Sequence, residues 1–179
     1  GIEPTEPSVG FGYIKAGEEL RVEGAPTARH VDQFVEKPNI ATARKYVESG
    51  DYLWNAGMFI APAELLLAQL EKSEPALYAS IIEIAADWDT ENRKKTIERI
   101  WPKLKKVAID YSVAEPAAAA GLVAVVPATF SWHDVGDFAA IAELQSQGRK
   151  GNLAVLGNAK VLADSSSGIL VSDTDRLIA

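Results

Sequence analysis

Short aromatic and β-branched runs alternate along this chain with segments of helical period. Residues 11–14, held between glycines, predict a strand, and 31–35 alternate well enough to predict a second. The polar stretch 21–29 between them, with Gly24 and Pro26, reads as a hairpin-like loop. Pro38 stops the second strand because it offers no N–H to a ladder. A helix follows over 42–49, with Gly50 placed as its C-terminal cap. Residues 52–60, YLWNAGMFI, form the most apolar strand candidate. Asn55-Ala56-Gly57 interrupts it, as a bulge or a close backbone approach would.

Three helices are expected next. The first, over 62–70, has a proline in its first turn and leucines at helical spacing. The second, over 75–86, shows apolar residues at i, i+3 and i+4. The third, over 90–100, is more charged, with Asp89 or Thr90 as its cap. Residues 108–115 and 122–126 bracket an alanine-rich turn or helix. Residues 132–136 form a loop, and Asp137 can cap a helix over 138–144. After Gln145 the composition shifts. A linker, SQGRKGN, precedes short apolar runs at 153–156, 160–163, 169–171 and 177–178, separated by Gly, Asn, Asp and Ser. That is an all-β pattern, compatible with the opening of a β-helix or small barrel but with too few turns to establish a repeat. The chain therefore divides into 1–145 and 151–179.

Composition narrows the chemistry. The 179 residues include no cysteine and two histidines, so disulfides and thiolate zinc sites are excluded. Carboxylates must carry any metal chemistry, which points to a hard ion such as magnesium. A net charge of -7 disfavours nucleic acid and anionic membranes as partners. It leaves room for a phosphate substrate, since a divalent ion and a few placed cations override the global field locally. There is no apolar run of bilayer length and no signal-peptide pattern at the start, so the cytosol is the simplest compartment. The opening, 1–7, lacks an initiator Met, and the end falls within an apolar segment. Both ends read as those of a fragment.

Four places could carry chemistry. In Glu36-Lys37-Pro38 a carboxylate can accept hydrogen bonds from two sugar hydroxyls, and the next ammonium can neutralise a phosphate oxygen. Such a charge contact is worth on the order of 4 kcal/mol at an effective dielectric of 20, before desolvation. Taken alone, the tripeptide is more commonly a surface ion pair before a turn. Asn55 lies in an apolar run. Its amide either stabilises a bulge or faces a cavity and pairs with ligand hydroxyls, with Gly57 letting the ligand approach the backbone. In Ser131–Asp137, SWHDVGD, Asp134 can face a magnesium ion while Asp137 caps, although capping is the commoner use of either Asp. His133 beside them reads as structural. Gly10-Phe11-Gly12-Tyr13 can expose a backbone N–H but lacks the spacing of a phosphate loop. Trp54, Trp101 and Trp132 read as core.

The order and spacing of these motifs say more than any one of them. VGFGYIK (9–15), QFVEKP (33–38), YVESGDYLWNAGMFI (46–60), AIDYSVAE (108–115) and FSWHDVGDF (130–138) resemble the C-terminal half of bacterial mannose-1-phosphate guanylyltransferases, over about residues 1–144. The tail from 151 resembles the start of the β-rich extension that follows. The resemblance implies an α/β fold: the C-terminal half of a Rossmann-like, mixed-sheet nucleotidyltransferase domain, then a short β-rich segment. It implies formation of GDP-mannose and pyrophosphate from GTP and mannose 1-phosphate, with Mg2+ as cofactor. By similarity, the backbone at Gly12 and Gly57, the Glu36 carboxylate and Asn55 contact the sugar. Lys37 pairs with its phosphate, Asp110 lies near the sugar pocket, and Asp134 is a magnesium ligand. Lys37 and Asp134 are then the catalytic pair, and all these residues must converge on one cleft. The family's glycine-rich nucleotide loop is not found in this stretch, so this piece alone is expected to be inert. A homodimer is compatible with the resemblance. Three other readings stand: a non-catalytic or regulatory sugar-nucleotide-binding paralogue, another hexose-1-phosphate nucleotidyltransferase, and a standalone sugar-phosphate binding module. Departures from the family pattern lie at Val9 and Phe11, each replacing a hydroxyl residue, at Ala108, and at Pro116 after Glu115.

Overall fold

The computed structural model of the chain describes residues 1–146, 153–158, 160–162 and 168–178. Residues 147–152 of the expected linker, Ala163 and Ala179 lie outside them. The chain divides into two compact units, Gly1–Thr129 and Phe130–Ala179.

In the first unit, β1 (Tyr13–Glu19) and β2 (Arg29–Val35) form the expected hairpin. Its loop closes on a bridge between Val22 and Ala25. The first strand begins two residues later than its aromatic run suggests and continues to Glu19, because the partner strand offers a ladder that far. The register slips on either side of Ala16. Lys37, just past β2, has a left-handed φ of 47°, and the buried Pro38 follows it. Next comes α1 (Ile40–Ser49). Asn39 Oδ1 accepts from Thr42 N at 2.9 Å, so the helix starts two residues before its periodic stretch. Gly50, at φ 72°, ends it and donates to Val47 O.

The strand expected over 52–60 is cut short: β3 covers only Tyr52–Trp54. Asn55 Oδ1 takes the Gly57 N–H at 3.0 Å, and Gly57 turns the chain away at φ 69°. Ile60 is left fully exposed. Three helices follow, α2 (Ala63–Ser73), α3 (Pro75–Ala86) and α4 (Arg93–Ile100). The third starts later than expected and has no side-chain cap. The Thr90 hydroxyl instead accepts Asn92 N within the preceding turn. A π-helical turn, Asp110–Ala114, runs into α5 (Glu115–Ala119), and β4 (Ala124–Val125) completes the sheet.

The α/β expectation holds. Within this unit the sheet is antiparallel in the order β3-β1-β2-β4. Its core joins Ile14, Val31, Phe34 and Val125 to Ala114 and Ala118. Alanine's small side chain lets α5 lie close against β2, so the alanine-rich run is a packing face.

In the second unit, the loop 131–136 leads into α6 (Phe138–Ser146). Asp137 Oδ1 caps it, accepting from Ala140 N at 2.9 Å. The apolar runs beyond form β5 (Leu153–Gly157), β6 (Lys160–Val161), β7 (Gly168–Ser172) and β8 (Leu177–Ile178). Alternate strands pair in parallel, β5 with β7 and β6 with β8, so one rung of chain stacks on the next. The helix α6 packs on β5 and β7, so it belongs with these rungs. Among the described residues no helix is long and apolar enough to cross a bilayer.

Candidate functional site

The register of three strands builds the site. Tyr13 at the start of β1 pairs with Val35 near the end of β2 and with Trp54 at the end of β3. One residue further out, the same antiparallel register sets Gly12 between Glu36 and Asn55. Asn55 N donates to Gly12 O at 2.8 Å, which extends the ladder by that step. Cross-strand neighbours share a face of the sheet, so the Glu36 and Asn55 side chains flank Gly12. A Cβ at position 12 would lie 2.4 Å from Glu36 Oε2, 3.2 Å from Asn55 Cβ and 3.6 Å from Asn55 Nδ2.

The π turn closes the other side. Its i→i+5 bond, Glu115 N to Asp110 O, puts residues 110 and 115 one turn apart. Both reach the strand ends. Asp110 Oδ1 accepts from Asn55 Nδ2 at 2.9 Å, and Glu115 Oε1 accepts from the Glu36 backbone N–H, also at 2.9 Å. Tyr111 Oη makes a longer contact, 3.5 Å, with Glu36 O.

At the centre, the Glu36 side chain is only 6% exposed. Lys37 Nζ stands 3.3 Å from its Oε1, on a half-exposed side chain. Its Oε2 is buried with no partner. An unpaired buried oxygen of this kind costs roughly 1–3 kcal/mol, and more if charged. The Glu36 carboxyl is raised above its ordinary range, first by burial and then by the negative charge of Asp110. The hydrogen bond and charge of Lys37 pull the other way, and Glu115 adds a little to the rise. The left-handed backbone of Lys37 costs a further ~1–2 kcal/mol. A buried carboxylate oxygen without a partner, next to a residue held in the left-handed region, is a combination that folding alone would avoid.

The structure thus brings together Gly12, Glu36, Lys37, Asn55, Gly57 and Asp110. Asp134 is exposed in the loop 131–136 of the second unit, beside an exposed His133. Among the described residues no group of three or more His, Asp or Glu side chains could hold a metal by itself. A magnesium ion that draws most ligands from substrate phosphates and water needs one or two carboxylates, and a single Asp fits that need. Glu115 and Tyr111 escaped the sequence reading as parts of the site. The available signal was the Glu36 N–H, a strand-end donor that needs an acceptor from elsewhere. A cavity of about 410 Å³ lies at the other end of β1, lined by Glu18, Glu19, Arg21 and Arg29. Its two carboxylates offset its two cations.

The fold and this cluster define an α/β protein that sets a carboxylate, an ammonium and an amide at adjoining strand ends. The chain belongs to the nucleotidyl transferase family, whose model matches residues 1–151. It is 38% identical over 156 residues to the xanthan biosynthesis protein XanB of Xanthomonas campestris pv. campestris (strain B100), covering 85% of this chain and 31% of that protein. It is 36% identical over 154 residues to the mannose-1-phosphate guanylyltransferase of Escherichia coli (strain K12), covering 86% and 32%. The chain thus spans about a third of the length of these relatives. Among solved structures it is similar to a mannose-1-phosphate geranyltransferase from Thermus thermophilus, with a TM-score of 0.71 and 29% identity. That match covers 99% of this chain and 48% of the other.

Proposed function

We propose that this chain supplies the sugar-phosphate site of a mannose-1-phosphate guanylyltransferase, a cytoplasmic enzyme that makes GDP-mannose and pyrophosphate from GTP and mannose 1-phosphate. The observation that carries the reading is Glu36 Oε2, buried and unpartnered beside the missing side chain of Gly12. A sugar hydroxyl donating to it would relieve a cost that the free protein bears. Family membership and relatives named for mannose 1-phosphate support the choice of ligand.

In this reading Glu36 accepts from sugar hydroxyls. Asn55 and the backbone at Gly12 and Gly57 complete the sugar contacts, with Asp110 at the edge of the pocket. Lys37 turns from Glu36 to the phosphate, keeping its charge near both. The nucleophile is a phosphate oxygen that already carries negative charge, so no general base is needed. What these residues contribute is position and charge neutralisation. Magnesium, bound through Asp134 and a carboxylate from elsewhere in the protein, would supply further neutralisation of the phosphates. Nucleotide binding is assigned to a part of the protein outside this chain, and a homodimer is compatible with the reading.

The test is pyrophosphate release from GTP and mannose 1-phosphate by the full-length enzyme. Asp134→Asn should lower turnover roughly 10²–10³-fold, the scale of one lost electrostatic stabiliser. Full activity in that variant contradicts the metal role. No mannose-1-phosphate-dependent release by the wild type contradicts the function.

A further inference from the structure

We infer that Asp110 is a positioning residue that fixes which end of the Asn55 amide faces the sugar, so that position 55 presents a hydrogen-bond donor. The inference rests on the sugar-phosphate reading above and assigns a specificity role within that site.

An Asn side chain has two ends of nearly equal shape and opposite polarity. Left to itself, the amide can turn either way toward a ligand. Here it is held at both ends. Gly57 N–H, held by the turn at φ 69°, donates to Oδ1 at 3.0 Å. Asp110 Oδ1 takes Nδ2 at 2.9 Å. Flipping the amide would set Nδ2 against an N–H and Oδ1 against a carboxylate, replacing two hydrogen bonds with two repulsions. A carboxylate only accepts, so Asp110 cannot support the flipped form as an amide or a hydroxyl could. That exclusivity brings a second negative group near Glu36, one of the causes that raise the Glu36 carboxyl.

One Nδ2 hydrogen goes to Asp110, and the second is left for a ligand. Nδ2 lies 3.6 Å from the position of the absent Gly12 Cβ, while Glu36 Oε2 lies 2.4 Å from that point. The strand ends therefore offer one donor and one acceptor, in a fixed order, on either side of Gly12. Neighbouring sugar hydroxyls can satisfy both, one accepting from Asn55 and one donating to Glu36. A sugar with either hydroxyl missing or inverted leaves the buried Glu36 oxygen or the half-buried Asn55 amide unpaired, and polar sites discriminate on that basis. The π turn belongs to the same device. Its wide turn brings Asp110 to Asn55 while Glu115, one turn on, holds the backbone of Glu36.

The test compares three forms of the full-length enzyme: wild type, Asp110→Ala, and the exchanged pair Asn55→Asp with Asp110→Asn. The exchange keeps a hydrogen bond between positions 55 and 110 and an acceptor for Gly57 N–H, but leaves no donor at 55. Steady-state KM for mannose 1-phosphate, KM for GTP, kcat and Tm are measured for each. Asp110→Ala is expected to raise KM for mannose 1-phosphate about tenfold, the scale of one misdirected hydrogen bond, with KM for GTP unchanged and kcat lowered no more than about threefold. The exchanged pair should recover the wild-type Tm and keep the raised KM. An unchanged KM in Asp110→Ala overturns the inference. So does an exchanged pair that recovers KM together with Tm, since the 55–110 bond would then be structural only. If Asp110→Ala does not fold, the exchanged pair decides alone. A wild type without mannose-1-phosphate-dependent turnover sinks the functional reading, and the inference with it. Normal wild-type turnover with an unaltered Asp110→Ala sinks the inference alone.

Discussion

Gly12 and Glu36 share one space: the Cβ that position 12 lacks would lie 2.4 Å from Glu36 Oε2. The atom in the way is the far end of a side chain, so Gly12→Ala can be accommodated by pushing the carboxylate out of place. The backbone at 12 is not left-handed, so alanine meets no conformational barrier there. We expect Gly12→Ala to fold, with a loss of about 1–3 kcal/mol from overpacking. It should bind mannose 1-phosphate at least about tenfold more weakly, because the displaced carboxylate no longer meets the hydroxyls. Thermal denaturation and ligand titration on the same preparation check both parts. Intact binding would mean that Glu36 does not need its observed position.

Glu36 should also leave a mark on stability. Its carboxyl is raised above the ordinary value of 4.5, with burial the leading cause. Folding therefore favours the protonated form. The stability it contributes is present below the unfolded pKa and is lost as pH rises through the raised folded value. Glu36→Gln removes that loss. The variant should have a higher Tm than wild type at pH 7–8, and the gap should narrow as pH falls toward the ordinary carboxylate range. Melting curves across that range decide it. A gap that widens on acidification would contradict the cause assigned here.

Glu115 holds the backbone of Glu36 from the π turn. Removing its carboxylate leaves the Glu36 N–H without its partner. We expect Glu115→Ala to cost about 1–3 kcal/mol, and Glu115→Gln well under half of that, since an amide oxygen still accepts. Urea midpoints at unchanged m-value provide the measurement. Equal loss in both variants would show that the charge of Glu115, rather than its acceptor, matters.

In the second unit Gly157 lies against the backbone of β7. Its φ is 91°, and an added Cβ would lie 1.8 Å from Ser172 O. Backbone on both sides cannot yield cheaply. Gly157→Ala should pull β5 from β7 at a cost above about 2 kcal/mol. Amide exchange should lose protection over 153–157 and 168–172, while protection in β1 and β2 stays. Retained protection in β5 would contradict the observed pairing.

Local chemistry was readable from the sequence; long-range pairing was less so. Gly50 and Asp137 announce their helix ends, because a left-handed glycine and a capping carboxylate act within a few residues. Pro75 marks the start of α3 for the same reason. The strand over 52–60 misled because its hydrophobicity continues past Asn55, while the Asn55–Gly57 hydrogen bond and a left-handed Gly57 end the ladder. Glu36 and Lys37 were visible as candidates with a commoner structural use, and Asn55 as one balanced between a bulge and a ligand contact. What joins them is the register that sets Gly12 opposite both 36 and 55, and strand register depends on partners far along the chain. Glu115 was not visible at all as part of the site. Its partner lies 79 residues away, and the π turn that aims it has no sequence signature.

Calorimetric titration of mannose 1-phosphate into the full-length protein, wild type against Glu36→Gln, tests the central claim most directly. The account predicts saturable binding to wild type and binding at least about tenfold weaker to a Glu36→Gln protein that melts at the same or a higher temperature. Equal affinity in the two proteins would contradict it, because the carboxylate beside Gly12 would then have no part, as a carboxylate, in holding the sugar.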